Sequence, residues 1–261
     1  MEIVSYSDTQ QKEIRTKEQH TLVRGYYGKV AALCEGPQVF LVDMPDAGGT
    51  IHPHFHDVDQ YQVIVRGGGR LGPGTAEPVA FHYADAYTPY GPIIGADDGI
   101  AFFTIRAACA GGYFPMPASR HLIKGKPGRN IAGKFDVNQP LPAARESTRE
   151  VLLESTADHV AVVGLRMGPH ARANGEPTNG GDQYYLVCSG ALAHEGREIP
   201  PLSMVRVEPG EAPPVLEAGP TGAEILLLQL PMPTGRPGAT LKTLAERGLT
   251  EVKLPEGITI D

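Results

Sequence analysis

A short run of alternating histidines is the feature of this sequence with the clearest chemistry. Three of the nine histidines, His52, His54 and His56, lie in the segment GGTIHPHFHDVDQ that begins at Gly48. Residues two apart on a β-strand point to the same face, about 6.6 Å from one another, so two neighbouring imidazoles could bind one metal ion. The outer pair, about 13 Å apart on a straight strand, could not. We therefore expect an ion to be bound by His52 with His54 or by His54 with His56.

An internal repeat indicates the elements that would position these histidines. The segment 59–67, DQYQVIVRG, resembles 182–190, DQYYLVCSG. A second segment, FPMPASR at 114–120, resembles LPMPTGR at 230–236, and the two pairs occur in the same order along the chain. Self-similarity of this kind is typical of a chain that contains two copies of one structural unit.

Each half of the sequence has the pattern of a small all-β domain. We predict one domain over residues 1–120 and another over 145–261, joined by a linker over 121–144 that is rich in Gly, Pro and charged residues. Glycine and proline (32 and 24 residues) separate short β-prone runs, which favours a sandwich or barrel. The predicted strands are 39–42, 61–65, 79–83 and 100–106 in the first half, and 160–165, 184–188, 204–207 and 224–230 in the second. Short helices are expected only around residues 8–19 and 239–247.

The histidine segment resembles the first motif of the cupin superfamily, whose pattern is G, five residues, H-x-H, three or four residues, E, six residues, G. This chain has Gly48, five residues, His54-Phe55-His56, three residues, Gln60, six residues and Gly67. Every spacing agrees, and Gln60 stands where the family usually has Glu. The resemblance implies that His54 and His56 bind the metal, with Gln60 as third ligand or as a hydrogen-bonding neighbour. His52 would then be a pocket or supporting residue.

The second cupin motif, G, five residues, P-x-G, two residues, H, is matched only in part. Pro89-Tyr90-Gly91 supplies the P-x-G, but Ile94 stands where the last histidine ligand belongs. His82, His52 or a water molecule could complete the coordination instead. The specific motifs span about residues 48–94, whereas the repeat extends the resemblance over most of the chain. The fold implied is two tandem cupin barrels (double-stranded β-helix or jelly-roll) with few short helices.

The second half keeps less of the motif chemistry. His170 lies in GPHAR, which resembles the histidine segment, but Arg172 takes the place of the second histidine. A guanidinium has no lone pair to offer a metal. The P-x-G equivalent is weak, at Pro209-Gly210, and no histidine follows it. We expect this barrel to be metal-free and to have a structural role.

The ligand set and the resemblance suggest a metal-dependent enzyme. Two imidazoles and a carboxamide are neutral, so a divalent ion would keep its full charge and attract an anionic oxygen of a substrate. Open coordination positions are what a non-heme Fe(II) dioxygenase requires, although the usual carboxylate is absent. We expect Fe(II), with Mn, Ni, Cu or Zn as alternatives, and a small oxygenated aromatic, acid or diketone substrate. A non-catalytic ligand-binding protein with two cupin barrels, and a metal-dependent isomerase or lyase, are the other hypotheses.

Several further residues are candidates for the pocket of such an enzyme. His82 and His52 could be an additional ligand or an acid–base group, and Tyr61 could take part in catalysis. The candidates for substrate binding are Tyr87, Tyr90 and Arg106. The alternative for the cluster is that its histidines bond to one another or to a ligand, without a metal.

Composition restricts the partners. The formal net charge of −7 argues against nucleic acid, which binds clusters of Lys and Arg. The N-terminus lacks the pattern of a signal peptide and no apolar run is long enough to span a membrane, so a cytoplasmic location is the expectation. The three cysteines, Cys34, Cys109 and Cys188, are far apart and are expected to be free thiols. A homodimer or larger homo-oligomer is expected from the resemblance.

Overall fold

The computed structural model describes residues 1–15, 20–30, 32–125, 128–232, 248–251 and 259–260, and it divides the chain into two compact units. The N-terminal unit consists of Gln10–Ala132 with Thr234–Asp261, and the C-terminal unit of Met1–Thr9 with Gly133–Pro233. These limits differ from the domain boundaries predicted from the sequence. The first nine residues are grouped with the second half of the chain, and residues 121–132 of the predicted linker with the first half.

The described residues are mainly β-strands. The strands of the N-terminal unit are β2 (Gln11–Arg15), β3 (His20–Tyr27), β4 (Gln38–Met44), β5 (Thr50–Ile51), β6 (His54–Phe55), β7 (Gln60–Leu71), β8 (Gly74–Ala76), β9 (Ala80–Ala84), β10 (Ile93–Arg106), β11 (Phe114–Pro115) and β20 (Thr259–Ile260). Strand β12 (Asn130–Lys134) begins in this unit and ends in the other. The main sheet has the order β12-β9-β7-β10-β4-β3-β2-β20, with β5 paired to β10 and β8 to β7, while β6 and β11 form a separate pair.

The C-terminal unit is built in the same manner. Its strands are β1 (Glu2–Val4), β13 (Ser147–Leu153), β14 (Ala161–Met167), β15 (Arg172–Asn174), β16 (Gln183–His194), β17 (Arg197–Ile199), β18 (Met204–Val207) and β19 (Val215–Gln229). The sheet has the order β1-β18-β16-β19-β14-β13, with β15 paired to β19 and β17 to β16. Helical structure in the described residues is limited to two 3₁₀ turns, Tyr6–Asp8 and Arg120–Leu122. None of the described helices has the length and apolar character needed to cross a membrane.

The eight strands predicted from the sequence are all present, most of them longer than predicted. The helix expected around residues 8–19 is wrong, because Gln11–Arg15 is strand β2 and pairs antiparallel with β3 over five positions. Pairing with a neighbouring strand outweighs the local preference of this polar segment. The helix expected at 239–247 lies outside the described residues.

Two glycines show that the sequence repeat is also a structural repeat. Gly67 in β7 and Gly190 in β16 close the two DQY segments, and both have positive φ angles, 68° and 64°. A Cβ on Gly67 would lie 2.1 Å from the carbonyl oxygen of Gly99, and a Cβ on Gly190 would lie 2.1 Å from that of Gly222. The long antiparallel strand pairs β7–β10 and β16–β19 therefore bend at equivalent points, where only glycine has both the conformation and the space.

The interior of the N-terminal unit is apolar at one end and polar at the other. On the face of β7 that contains Ile64, the side chains two and four positions earlier are Gln62 and Gln60. On the same face of the neighbouring strand β10, Phe102, Thr104 and Arg106 lie opposite these three residues in turn. Ile64 and Phe102 belong to a buried apolar cluster that includes Val42, Met44, Tyr90 and Ile93. The glutamines and the arginine therefore continue the same interior face as a buried polar region.

Candidate functional site

The histidine segment does not form one continuous strand. Strand β5 ends at Ile51 and β6 begins at His54, with Pro53 between them, so His52 leaves the alternation. The side chain of His52 is exposed, whereas His54 and His56 are buried with ring centroids 5.1 Å apart. The expectation that all three rings share a face is therefore wrong for His52. The structure brings together the pair that the motif resemblance selects.

Both buried imidazoles are tethered to the backbone through Nδ1. Nδ1 of His54 lies 2.7 Å from the carbonyl oxygen of His52, and Nδ1 of His56 lies 2.6 Å from that of Gly112. A carbonyl only accepts hydrogen bonds, so each Nδ1 is the protonated nitrogen. Burial lowers the pKa of His54 to about 4 and that of His56 well below its ordinary value, with the positive charge of Arg106 contributing at both rings. Both rings are therefore neutral near pH 7, each with a lone pair on Nε2.

Arg106 connects His56 to Gln60. It lies directly opposite Gln60 in the β10–β7 ladder, and only 6% of its surface is exposed. Its Nε donates to Oε1 of Gln60 at 2.9 Å, and one terminal nitrogen lies 2.9 Å from Nε2 of His56. The other terminal nitrogen donates to Oε1 of Gln38 at 2.6 Å. The residue predicted to bind substrate is thus bonded to two of the three predicted metal ligands.

Nε2 of His54 is hydrogen-bonded to Tyr90, as Nε2 of His56 is to Arg106. The Tyr90 hydroxyl lies 2.7 Å from Nε2 of His54 and receives a hydrogen bond from Nε2 of Gln62 at 3.1 Å. Since Nε2 of His54 has no proton, the hydroxyl is the donor. Burial raises the pKa of Tyr90, which keeps this proton in place at neutral pH. Tyr90, another predicted substrate-binding residue, is therefore a direct neighbour of the histidine pair.

His82 is linked to the pair through other side chains. Its Nδ1 lies 2.8 Å from Oε1 of Gln62, and its Nε2 lies 3.1 Å from Oδ1 of Asn130. Burial lowers its pKa to about 4. Both of these neighbours are carboxamide oxygens, which only accept, so the neutral ring donates to one of them. Gln62 and Tyr90 lie between His82 and His54. His82 is thus connected to Tyr90 through Gln62, and its role as an additional ligand remains a prediction.

Two predicted tyrosines are not brought to the histidine pair. Tyr61 alternates with Gln60 along β7, so it points to the opposite face, where its ring packs 5.0 Å from that of Tyr83. Tyr87 packs against Phe55, centroid to centroid 6.0 Å, and Lys124 lies over its ring. Phe55 alternates with His54 along β6, so Tyr87 also packs on the side away from the histidine pair.

Other residues of the site carry no motif signal in the sequence. Ile94 of β10 stands at the position of the missing ligand and pairs with Thr50 of β5. Its side chain has no atom that could bind a metal. Tyr113 stacks on His54 with ring centroids 4.4 Å apart. Gln62 could have been found from its spacing, since it is two positions after Gln60 on a strand. The contacts missed by sequence reasoning are those of Gln38, Gln62, Tyr113 and Asn130.

The donor atoms fit a divalent ion in type and tautomer. The donors are two Nε2 lone pairs and one carboxamide oxygen, and a backbone tether on Nδ1 is the usual support of a metal-binding histidine. Each donor nevertheless already accepts a hydrogen bond, His54 from Tyr90 and both His56 and Gln60 from Arg106. No group of three His, Cys, Asp or Glu side chains in the described part of the chain is arranged to hold a metal. An ion could bind only by displacing Arg106 and Tyr90 from the two imidazoles.

The equivalent position in the C-terminal unit has different chemistry. His170 and Arg172 are exposed, and Arg172 pairs with Glu217 at 3.2 Å. Gln183 lies opposite Gln229 in the β16–β19 ladder, where the other unit has Gln60 opposite Arg106, and the two carboxamides bond at 2.9 Å. A cluster of fifteen buried apolar residues lies in the same unit. The prediction that this barrel binds no metal remains a prediction.

Comparison with known proteins identifies the fold. No model of a known protein family matches the sequence, and no curated protein sequence matches it significantly. Among solved structures, a putative dioxygenase from Nostoc punctiforme superimposes with a TM-score of 0.61 at 11% identity, covering 90% of this chain and 85% of the other. Oxalate decarboxylase from Bacillus subtilis superimposes with a TM-score of 0.58 at 12% identity, covering 87% and 75%. At such low identity the similarity shows the fold alone, and that fold is all-β in this chain.

Proposed function

We propose that the N-terminal unit is the catalytic part of a metal-dependent enzyme that acts on a small, anionic, oxygen-rich organic molecule. The observation that carries this proposal is the tautomeric state of His54 and His56. Both rings have an unprotonated Nε2, because both Nδ1 atoms are held by backbone carbonyls. Nε2 of His56 and Oε1 of Gln60 both contact Arg106, and the centroids of the two imidazole rings are 5.1 Å apart. His54, His56 and Gln60 would hold the ion.

The charge of the site favours an anionic substrate. The three donor side chains are neutral, and Arg106 adds a buried positive charge among them. When bound, the ion acts as a Lewis acid that polarises a substrate oxygen and has room for O₂. We put forward an Fe(II)-dependent dioxygenase as the specific reaction, with Mn, Ni, Cu and Zn as alternative ions, because few protein ligands leave several coordination positions open.

Residues of this chain would orient the substrate. Arg106, once released from His56, would place its positive charge beside a carboxylate or enolate, while its other terminal nitrogen remains on Gln38. Tyr90 keeps its proton at neutral pH and would donate it in a hydrogen bond to a substrate oxygen. His82 and Gln62 would fix the direction of that hydroxyl through their own hydrogen bonds.

Metal content and activity together test the proposal. Protein purified without chelators is expected to contain about one transition-metal ion per chain, and to consume O₂ with a member of a panel of catechols, hydroxy-aromatic acids and diketones. His54→Ala and His56→Ala should lose the ion and the activity. His52→Ala is the matched control, since this histidine belongs to the same segment but is exposed, and it should keep both. Equal metal content in all four proteins contradicts the proposal.

A second function is favoured by one observation: the three donor atoms all accept hydrogen bonds from their own chain. Such a closed network would suit a non-catalytic protein that binds a small ligand without a metal. That protein would be stabilised by its ligand in the presence of a chelator. A metal-dependent isomerase or lyase would instead keep its activity under strict anaerobiosis. The three outcomes are mutually distinguishable.

A further inference from the structure

Arg106 and a divalent ion require the same atom of His56. The ring is neutral and its proton is on Nδ1, held by the carbonyl of Gly112, so Nε2 has one lone pair in the plane of the ring. That lone pair accepts the hydrogen bond from Arg106 at 2.9 Å. A metal–imidazole bond of about 2.0–2.1 Å would use the same lone pair. The two partners therefore exclude one another at this atom.

The other contacts of the Arg106 guanidinium do not compete with a metal ion for a lone pair. Oε1 of Gln60 has two lone pairs, so it could keep its bond from Arg106 while binding an ion. The bond from Arg106 to Oε1 of Gln38 involves no predicted ligand, and the guanidinium also lies over the ring of Phe40, 5.4 Å from its centroid. Metal binding would therefore leave the contacts of Arg106 with Gln38 and Phe40 in place.

From this geometry, and resting on the proposed function, we propose that Arg106 is an internal competitor of the metal. In the metal-free protein its guanidinium occupies the donor atom of His56. Metal binding displaces that hydrogen bond and leaves the positive charge beside the ion. Arg106 therefore weakens metal binding, and a loaded site gains a positioned cation that favours an anionic ligand on the ion.

Titration with cobalt(II) chloride measures this competition without reference to activity. Co²⁺ gives visible absorption bands that depend on its ligands, so binding and coordination are read together. The proteins are stripped with chelator, dialysed and titrated as wild type, Arg106→Met and Arg66→Met. Arg66→Met is the matched control, because it removes an equal charge at an exposed position of β7 where Arg66 contacts Asp43 and Asp98.

The Kd for Co²⁺ should fall about tenfold or more in Arg106→Met, since the ion no longer displaces a charge-assisted hydrogen bond. It should change little in Arg66→Met. Equal or weaker binding by Arg106→Met overturns the competition while leaving the proposed metal site standing. Absence of binding in all three proteins overturns the metal site and the competition together.

Chemical rescue covers the case in which Arg106→Met folds poorly. Arg106→Ala leaves a space that free guanidinium ion can refill at millimolar, non-denaturing concentrations. Added guanidinium should then weaken Co²⁺ binding to Arg106→Ala and leave wild type unchanged, with folding followed by circular dichroism. Co²⁺ affinity of Arg106→Ala that is insensitive to guanidinium contradicts the competition.

Discussion

Acid should destabilise the metal-free protein through its buried neutral histidines, and His82 allows one of them to be measured. Burial lowers the pKa of His82 to about 4 from an ordinary value of 6.5, and the side chain is 6% exposed. The unfolded chain therefore binds a proton at a pH where the folded chain does not. His82 therefore does not lower the free energy of unfolding above about pH 6.5, and lowers it progressively as the pH falls from there toward about 4.

The magnitude follows from the two pKa values. Between pH 7.5 and pH 5.0 one such group costs about 2 kcal/mol, and the full shift of 2.5 units corresponds to about 3.4 kcal/mol. Urea unfolding of chelator-treated wild type, His82→Gln and the exposed control His52→Gln at a series of pH values measures the difference. Wild type and His52→Gln should lose stability in parallel, while His82→Gln should lose about 2 kcal/mol less over this range. If all three proteins show the same pH dependence, His82 is not buried in its neutral form.

Three further changes test the packing and the hydrogen bonds. Phe55→Ala should cost about 3–5 kcal/mol of unfolding free energy, because Phe55 is fully buried and stacked on Phe114; a loss under 1 kcal/mol in urea unfolding contradicts this packing. Gly190→Ala should cost more than the roughly 1 kcal/mol expected for an unfavourable φ alone, since its Cβ would meet a carbonyl oxygen; an unchanged Tm contradicts it. Tyr90→Phe should cost about 1–3 kcal/mol, because it leaves Nε2 of His54 without a donor, and equal stability of Tyr90→Phe and wild type would show that this bond is absent.

The fold was predictable because its signals are local and repeated. The alternation around residues 61–65 and 184–188, with glycine closing each run, indicates two equivalent long strands, and β7 and β16 are those strands. Strand β2 was not predictable from its own residues. It contains a single apolar residue, Ile14, and so has no alternating pattern, and it is a strand because it pairs with β3.

The candidate site was predictable only where its residues are close in sequence. The H-x-H spacing selected His54 and His56, which lie together. Gln38 and Asn130 come from distant parts of the chain, and a single sequence contains no pattern that connects them to this pair. His52 was misplaced because Pro53 interrupts the strand, so its carbonyl, and not its ring, supports His54.

Arg106 in the N-terminal unit and Gln229 in the C-terminal unit stand at equivalent positions but give the two units different chemistry. In both antiparallel strand pairs a glutamine from the DQY segment lies opposite the last residue of the partner strand, and in both the opposite side chain bonds to it. In the C-terminal unit that partner is Gln229, and the carboxamide pair completes its bonding with backbone carbonyls. In the N-terminal unit the partner is a cation, which also needs His56 and Gln38 as acceptors. Because a buried cation requires several acceptors, the arginine and the inward-facing histidine depend on one another, and losing either would leave the other without its partner. A polar, chemically competent interior is therefore expected in the unit that keeps both residues.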